Sequence, residues 1–145
     1  MNRDEERAIE WDCQRVLTRF CLYSDSRQYD KLVNLFTPDG VWFRLGEELR
    51  GHEKLHRAME ARPTAALSRH VLSNVFVTVI DDDHAEAVSY KSIYRHEEGE
   101  TLDKPIPLDG PKWVSVYSDK FVRTDDGWRI TEKEGVTLFE REPAP

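Results

Sequence analysis

The order of hydrophobic patterns along this chain limits the folds that it can adopt. Apolar residues recur at helical spacing in three stretches before residue 62, whereas the rest of the chain is rich in β-branched residues and turns. Strands joined by short turns pair in antiparallel fashion, so this second part predicts a meander of four long strands. Helices gathered early and strands gathered late indicate an α+β domain, in which helices cover one face of a curved sheet.

The individual elements follow from the same patterns. Ile9, Cys13 and Phe20 mark the apolar stripe of the first helix, and Pro63 closes the third. An acidic loop rich in proline and glycine occupies residues 97–111. The predicted elements are helices at 4–23, 29–36 and 51–61, a turn at 37–40, a hairpin at 41–51, and strands at 68–80, 85–96, 112–123 and 128–140.

Length and charge restrict the classes of partner. The chain has 145 residues, which suits one domain spanning residues 1–145 with a single core. Its 21 basic and 28 acidic side chains leave a net charge of −7, and no run of Lys and Arg interrupts that balance. Such a chain lacks the basic surface that binds nucleic acid or anionic lipid. We therefore expect no nucleic-acid partner and no membrane partner.

Two further features bear on the cellular compartment. Residues 1–10 are charged and lack the apolar segment of a signal peptide, and residues 71–80 are too short to span a bilayer. Cys13 and Cys21 lie about 12 Å apart if both are on one helix, which is too far for a disulfide. We expect two reduced, half-buried cysteines in a cytoplasmic protein.

Residues 52–56 read HEKLH and match the pattern of zinc hydrolases, in which two histidines bind the metal and a glutamate activates water. On this helix, however, the core stripe is expected at Leu55, Ala58 and Met59, with both histidines outside it. A zinc site also needs a third ligand, and no downstream His or Glu is set apart for that role. We therefore predict a surface helix with solvated histidines and no bound metal.

Asp25 and His70 are the two candidate catalytic residues. Asp25 lies where the first helix gives way to the second, and residues 25–28 also fit a capping box in which Asp25 would accept from backbone amides. His70 belongs to a strand face that mixes polar and apolar residues, as a cavity wall does, although a core or sheet-edge histidine gives the same pattern. That face comprises His70, Leu72, Asn74, Phe76 and Thr78, opposite Val71, Ser73, Val75, Val77 and Val79.

Three segments together resemble the nuclear transport factor 2-like superfamily, in its SnoaL-like branch. They are YSDSRQYDKLVNLFTPDGVWF at 23–43, SRHVLSN at 68–74 and VRTDDGWRITEKEG at 122–135. The resemblance covers nearly the whole chain and implies a cone: a strongly bent, mostly antiparallel sheet wrapped around three helices, with an internal pocket. It also places Asp25 and His70 where scytalone dehydratase and the hexachlorocyclohexane dehydrochlorinase carry a catalytic Asp–His pair.

The resemblance implies a cofactor-independent dehydratase or isomerase. In those enzymes the histidine is the base and the aspartate orients it. A neutral imidazole, with a reference pKa of about 6.5, can take a proton at neutral pH, and the carboxylate stabilises the imidazolium that forms. Loss of water or halide, or a double-bond shift, would follow on a small, apolar and cyclic substrate.

The details of the pocket differ from those of scytalone dehydratase. That enzyme has a tyrosine where this chain has Ser24, and a second pocket histidine where this chain reads GPKWVSV at 110–116. These differences argue against the same substrate. The aromatic residues expected in the substrate-binding wall are Tyr23, Tyr90, Tyr94, Trp113 and Tyr117.

Two non-catalytic functions are alternatives. The protein could bind a small ligand unchanged in the same pocket. It could also be a structural subunit, because residues 29–43 resemble the β subunits of ring-hydroxylating dioxygenases, which form trimers. Since the predicted helices can cover only one face of the sheet, we expect a homo-oligomer, a dimer or a trimer, formed through the outer sheet surface.

Overall fold

A computed structural model describes residues 1–97 and 105–143 of the protein. Within these residues, three helices lie in the first half of the chain and six strands form one curled sheet. The predicted α+β class and the bent sheet around the helices are therefore confirmed. The elements are α1 (Arg3–Asp25), α2 (Tyr29–Val33), β1 (Phe36–Arg44), β2 (Glu47–Arg50), α3 (His52–Glu60), β3 (Leu67–Val79), β4 (His84–His96), β5 (Trp113–Thr124) and β6 (Gly127–Glu140).

The sheet has the strand order β2-β1-β6-β5-β4-β3. The predicted antiparallel meander forms β3 to β6. The predicted hairpin, β1 and β2, joins the same sheet because β1 runs parallel to β6, with Val41 opposite Glu132 and Phe43 opposite Glu134. The sheet thus has six strands rather than four, and the parallel pair connects the first half of the chain to its last strand.

α1 begins with a capping box at Asn2 and Glu5. The Asn2 side-chain oxygen accepts from the Glu5 backbone N–H at 2.9 Å, and the Asn2 backbone N–H donates to the Glu5 carboxylate at 2.8 Å. Acidic residues in the first turn also complement the positive end of the helix dipole. The face turned to the sheet buries Ile9, Cys13, Val16, Leu17, Phe20, Cys21 and Ser24.

The connection from α1 to β1 differs from the prediction. α2 ends at Val33, so Phe36 begins a strand instead of closing a helix. Residues 37–40, predicted as a turn, lie within β1, where the pairing with β6 shifts register between Phe36 and Val41. A side chain at Gly40 would come within 2.9 Å of the Ile130 carbonyl oxygen, so the glycine here permits close approach of two backbones.

A bulge in β3 changes which residues face inward. Asn74 has a positive φ of 51°, and the pairing with β4 shifts register between Ser73 and Phe76. Before the bulge His70 and Leu72 point inward, and after it the inward positions are Val75, Val77 and Val79. The prediction of one continuous face from His70 to Thr78 is wrong beyond the bulge, because Asn74, Phe76 and Thr78 are exposed.

The core fills the space between the helices and the sheet. Phe20 of α1 meets the Trp42 ring edge to face, with centroids 5.3 Å apart. Cys13 and Cys21 are free, as predicted, but both are fully buried, and burial raises the pKa of the Cys13 thiol to about 12. None of the three helices in the described residues has an apolar stretch suited to crossing a bilayer. In the predicted loop, residues 105–111 carry neither helix nor strand, and residues 98–104 lie outside the described part.

The outer face of the sheet carries a row of apolar side chains. Tyr90, Val116 and Val136 are register neighbours on β4, β5 and β6, and Phe76 lies opposite Val88 at the adjoining strands. Phe76 is 72% exposed and Val136 is 55% exposed. Contiguous exposed apolar surface of this kind is typical of an interface.

We predict that two copies of the chain associate through this outer face. Light scattering at micromolar concentration should give twice the chain mass, and Val136→Glu should reduce it to the chain mass by placing a charge in the interface. A monomeric wild-type protein would contradict this prediction, and three copies would support the trimer alternative.

Candidate functional site

A cavity of about 500 Å³ opens at one end of the curled sheet. Its size is within the range of pockets that bind small organic molecules. Side chains from α1, β1, α3 and strands β3 to β6 contribute to the wall, together with Arg62 from the segment after α3. The apolar part of the wall comprises Phe20, Trp42, Phe43, Leu45, Met59, Ile93, Trp113 and Tyr117.

Asp25 and His70 meet at this cavity. The Asp25 Oδ1 and His70 Nδ1 atoms are 2.5 Å apart, and the His70 backbone N–H donates to Asp25 Oδ2 at 3.0 Å. The two side chains are 11% and 12% exposed, and His70 lines the cavity. Because a carboxylate is an acceptor, this contact assigns the proton of the neutral ring to Nδ1 and leaves Nε2 unprotonated.

The capping alternative for Asp25 does not agree with the structure. Asp25 is the last residue of α1, and the residue that precedes α2 is Gln28, which makes no side-chain cap. The backbone N–H of Gln28 donates to the Tyr23 carbonyl at 2.9 Å, and that of Arg27 donates to the Ser24 carbonyl at 3.4 Å. Both amides thus have backbone partners, and the Asp25 carboxylate is directed to His70 instead.

Two arginines fasten the end of α1 to the segment that leads into β3. Arg27, which has a positive φ of 58°, donates from Nη2 to the carbonyl oxygens of Pro63 and Ala66 at 2.8 and 2.6 Å. Arg62 donates from Nη1 to the Ser24 hydroxyl at 3.0 Å and to the Ser24 carbonyl at 3.2 Å. These bonds bring together residues that are 36 to 39 positions apart in sequence, and they place Asp25 beside His70.

Of the five aromatic residues predicted for the substrate wall, Trp113 and Tyr117 line the cavity. Among the described residues, the wall does not include Tyr23, Tyr90 or Tyr94, so this prediction is wrong for those three. In β4 the odd-numbered positions face inward, so Tyr90, which is 44% exposed, and Tyr94 lie on the opposite face. Tyr23 packs against the edge of the core, with Lys31 Nζ 5.9 Å from its ring centroid.

The HEKLH segment forms α3, whose core-facing residues are Leu55 and Met59, as expected. Its histidines are half-buried and bonded rather than solvated. His52 Nε2 lies 2.9 Å from the Phe36 carbonyl oxygen, and His56 Nε2 lies 2.7 Å from Asp30 Oδ1. In the part of the chain that the structure describes, no cluster of three His, Cys, Asp or Glu residues could hold a metal ion. The segment thus anchors α3 to β1 and α2.

Three arginines in the cavity wall were not predicted. Arg44, Arg62 and Arg95 line the same cavity as His70. Burial lowers the pKa of Arg44, and the nearby charges of Arg62 and Arg95 lower it further. For Arg95 the sequence of β4 did contain an indication. This residue shares the inward, odd-numbered register of Ala85, Ala87 and Ser89, where a charged side chain is unexpected.

Sequence comparison agrees with this architecture. The model of the SnoaL-like domain family matches residues 5–134. The chain belongs to the SnoaL-like domain family. No curated protein sequence matches it.

Several solved structures share the fold of this SnoaL-like protein. A type 2 hexachlorocyclohexane dehydrochlorinase has a TM-score of 0.81 and 15% identity, over 99% of this chain and 94% of that chain. A candidate scytalone dehydratase from Novosphingobium aromaticivorans has a TM-score of 0.78 and 16% identity, over 99% and 93%. An NTF2-like protein with a cystatin-like fold from the same organism has a TM-score of 0.77 and 20% identity, over 94% and 86%. At these identities the likeness establishes the fold.

A cluster of charges is buried in the core of the SnoaL-like domain, against two aromatic rings of the cavity wall. Asp119 Oδ1 and Lys133 Nζ are 2.6 Å apart with both side chains fully buried, and they form an ion pair rather than an aligned hydrogen bond. Lys91 is also fully buried, and its Nζ lies 3.9 Å from the Tyr117 ring centroid and 4.4 Å from that of Phe20. Burial lowers the pKa of Lys133, and Asp119 partly offsets this effect.

Gly135 makes room for the Tyr117 ring within this cluster. The two residues are register partners on β6 and β5. A side chain at position 135 would come within 2.7 Å of the Tyr117 ring, so any larger residue would push the ring away from β6. The position of Tyr117, between the cavity and the two lysines, therefore depends on this glycine.

We predict that Asp119→Asn destabilises the fold by about 3–5 kcal/mol, because it leaves buried ammonium groups without a counter-charge. The matched control is Glu132→Gln, which removes a partly exposed carboxylate 3.6 Å from Lys120 on the same two strands and should cost less than about 1 kcal/mol. Denaturant unfolding measures both free energies. Equal costs for the two variants would contradict the assignment of Asp119 as the essential counter-charge.

Proposed function

We propose that this SnoaL-like protein is a cofactor-independent lyase or isomerase that uses His70 as a general base oriented by Asp25. The contact between Asp25 and His70 Nδ1 in a small-molecule cavity carries this proposal. This contact leaves Nε2 as the ring nitrogen that is available to a bound molecule. The low exposure of both side chains strengthens the electrostatic effect of the carboxylate on the ring.

The proposed chemistry begins with removal of a carbon-bound proton by His70 Nε2. The imidazolium that forms is stabilised by the Asp25 carboxylate, which stays ionised throughout. If the carbon next to the carbanion carries a hydroxyl or a halide, the electron pair expels it as hydroxide or halide and a double bond forms. The imidazolium then gives its proton to the hydroxide, or to water when halide has left. If no leaving group is present, the proton returns at another carbon and the double bond shifts. Both outcomes balance without a redox partner.

The wall supports a ring-containing substrate. Trp42, Trp113 and Tyr117 present aromatic surface on different strands, and such surfaces stack against flat or cyclic molecules. Two structures of the same fold are, by name, a hexachlorocyclohexane dehydrochlorinase and a candidate scytalone dehydratase, and both names are consistent with elimination from a ring. Under this proposal the substrate of this chain is a small cyclic molecule. We also expect the protein to be cytoplasmic.

The two non-catalytic alternatives make different predictions. A ligand-binding protein would return its ligand unchanged and would tolerate loss of Asp25 or His70 with no functional cost. A structural subunit would co-purify with an iron–sulfur partner chain and would be inert alone. The enzyme proposal is favoured because both oxygens of one carboxylate are used on one histidine at the cavity.

We predict that Asp25→Asn and His70→Ala each lower kcat/KM by at least about a hundredfold on a substrate found by screening halogenated and hydroxylated cyclic compounds. A second Asp–His pair supplies the matched control, since Asp30 contacts His56 at the surface with a 2.7 Å bond. Asp30→Asn and His56→Ala should leave kcat/KM unchanged, and thermal unfolding should verify that all four variants are folded. Wild-type turnover by both Asp25→Asn and His70→Ala would refute the enzyme proposal.

A further inference from the structure

The cavity contains a cluster of positive charges, although the chain as a whole is acidic. The protein carries a net charge of −7, yet Arg44, Arg62 and Arg95 line one cavity of about 500 Å³. Against these three guanidinium groups the described part of the wall holds one carboxylate, that of Glu140. Guanidinium groups in a partly desolvated pocket are suited to binding a carboxylate or another planar anion.

Arg44 has free hydrogen-bonding capacity. Its guanidinium lies over the Trp42 ring, with Cζ 5.1 Å from the ring centroid, which supports one of its faces. In the described part of the chain, Arg44 makes no side-chain hydrogen bond or ion pair. Its half-buried donors therefore point into a cavity without a protein acceptor, and a bound anion would satisfy them.

Arg62 is held close to the Asp25–His70 pair. Its Nη1 atom bonds to the Ser24 hydroxyl and carbonyl, one residue before Asp25, and lies 3.5 Å from the Tyr29 hydroxyl. All three partners are neutral, so they fix the guanidinium without cancelling its charge. Arg62 thus places a positive charge at the end of the cavity where Asp25 and His70 meet.

The other charged side chains of the wall have protein partners. Arg95 Nε lies 3.0 Å from Glu97 Oε1, which also contacts Lys112 at 2.9 Å. Glu140 is exposed and accepts a bond from the Trp113 indole N–H at 3.1 Å. Arg44 and Arg62 are consequently the two cavity arginines with no carboxylate at ion-pair distance among the described residues.

We propose that Arg44 and Arg62 bind a carboxylate carried by the ring-containing substrate. This inference rests on the proposed function, because it names the substrate class of the same site: a small cyclic carboxylic acid rather than a neutral molecule. The ring lies against the aromatic wall, and the carboxylate lies at the arginines. The carbon that loses its proton is then held in a fixed direction relative to His70.

The test compares two probes of nearly equal shape. Calorimetry measures the affinity of the purified protein for 2-naphthoate and for 2-naphthamide, which lacks the charge. We expect 2-naphthoate to bind at least about tenfold more tightly, because bonds to a charged acceptor are stronger than bonds to a neutral one. Arg44→Gln should reduce this preference to less than about threefold. Substitution of Arg62 would be a less specific test, since it would also disturb Ser24 and Asp25.

Arg50→Gln is the control for Arg44→Gln. Arg50 is exposed on β2 and pairs with Glu48 at 2.7 Å, so its loss changes the net charge equally without touching the cavity. This variant should keep the wild-type preference. Equal affinity for the two probes, including no measurable binding of either, would overturn the inference, as would an unchanged preference in Arg44→Gln.

The same measurement on His70→Ala separates this inference from the proposed function. His70→Ala removes the base but keeps both arginines, so the preference for 2-naphthoate should persist in that variant. If His70→Ala keeps both the preference for 2-naphthoate and wild-type turnover, the anion site is supported and the enzyme proposal is refuted. Turnover that depends on His70, with no preference for 2-naphthoate, overturns the anion site and leaves the enzyme proposal intact.

Discussion

Asp25 binds His70 with both of its carboxylate oxygens, and this interaction joins the last residue of α1 to the beginning of β3. One oxygen contacts the ring and the other accepts from the backbone N–H of the same residue, so backbone and side chain are fixed together. Arg27 and Arg62 secure the same junction through the segment that enters β3. Since α1 also supplies Phe20 to the core and to the cavity, the packing of this helix determines the shape of the site.

The interior of the domain combines an apolar core with charges that are costly to bury. Lys91, Asp119 and Lys133 lie fully buried behind the aromatic wall, and replacing buried ion pairs with apolar residues is often stabilising. The presence of these buried charges is therefore weak evidence that they stabilise the fold. Together with Arg44 and Arg62 they give the cone a positively charged interior inside an acidic protein. A curled sheet that does not close into a barrel can enclose these charges, because it leaves one end of the core open to a bound molecule.

Local patterns predicted the helices, the four long strands and the α+β class, because apolar periodicity reports directly on which residues are buried. They could not predict the parallel pairing of β1 with β6, since that contact joins Val41 to Glu132 across most of the chain. The bulge at Asn74 reversed the faces of β3 for a similar reason: one extra residue moves every later side chain to the other face. The prediction of Tyr90 and Tyr94 in the cavity wall was wrong because aromatic residues occur on both faces of a strand, so their presence does not show which face points inward.

The structure places Asp25 beside His70, the arrangement predicted from a resemblance covering most of the chain, whereas the residues alone favoured a helix cap for Asp25. NMR of the protein labelled with ¹⁵N-histidine tests the contact between Asp25 and His70, since it shows which imidazole nitrogen carries the proton in the neutral ring. We predict that His70 carries its proton on Nδ1, with slow exchange because Asp25 shields it, and that Nε2 is unprotonated. A proton on Nε2, or exchange as fast as that of the exposed His84 ring beside Asp81, would contradict the account.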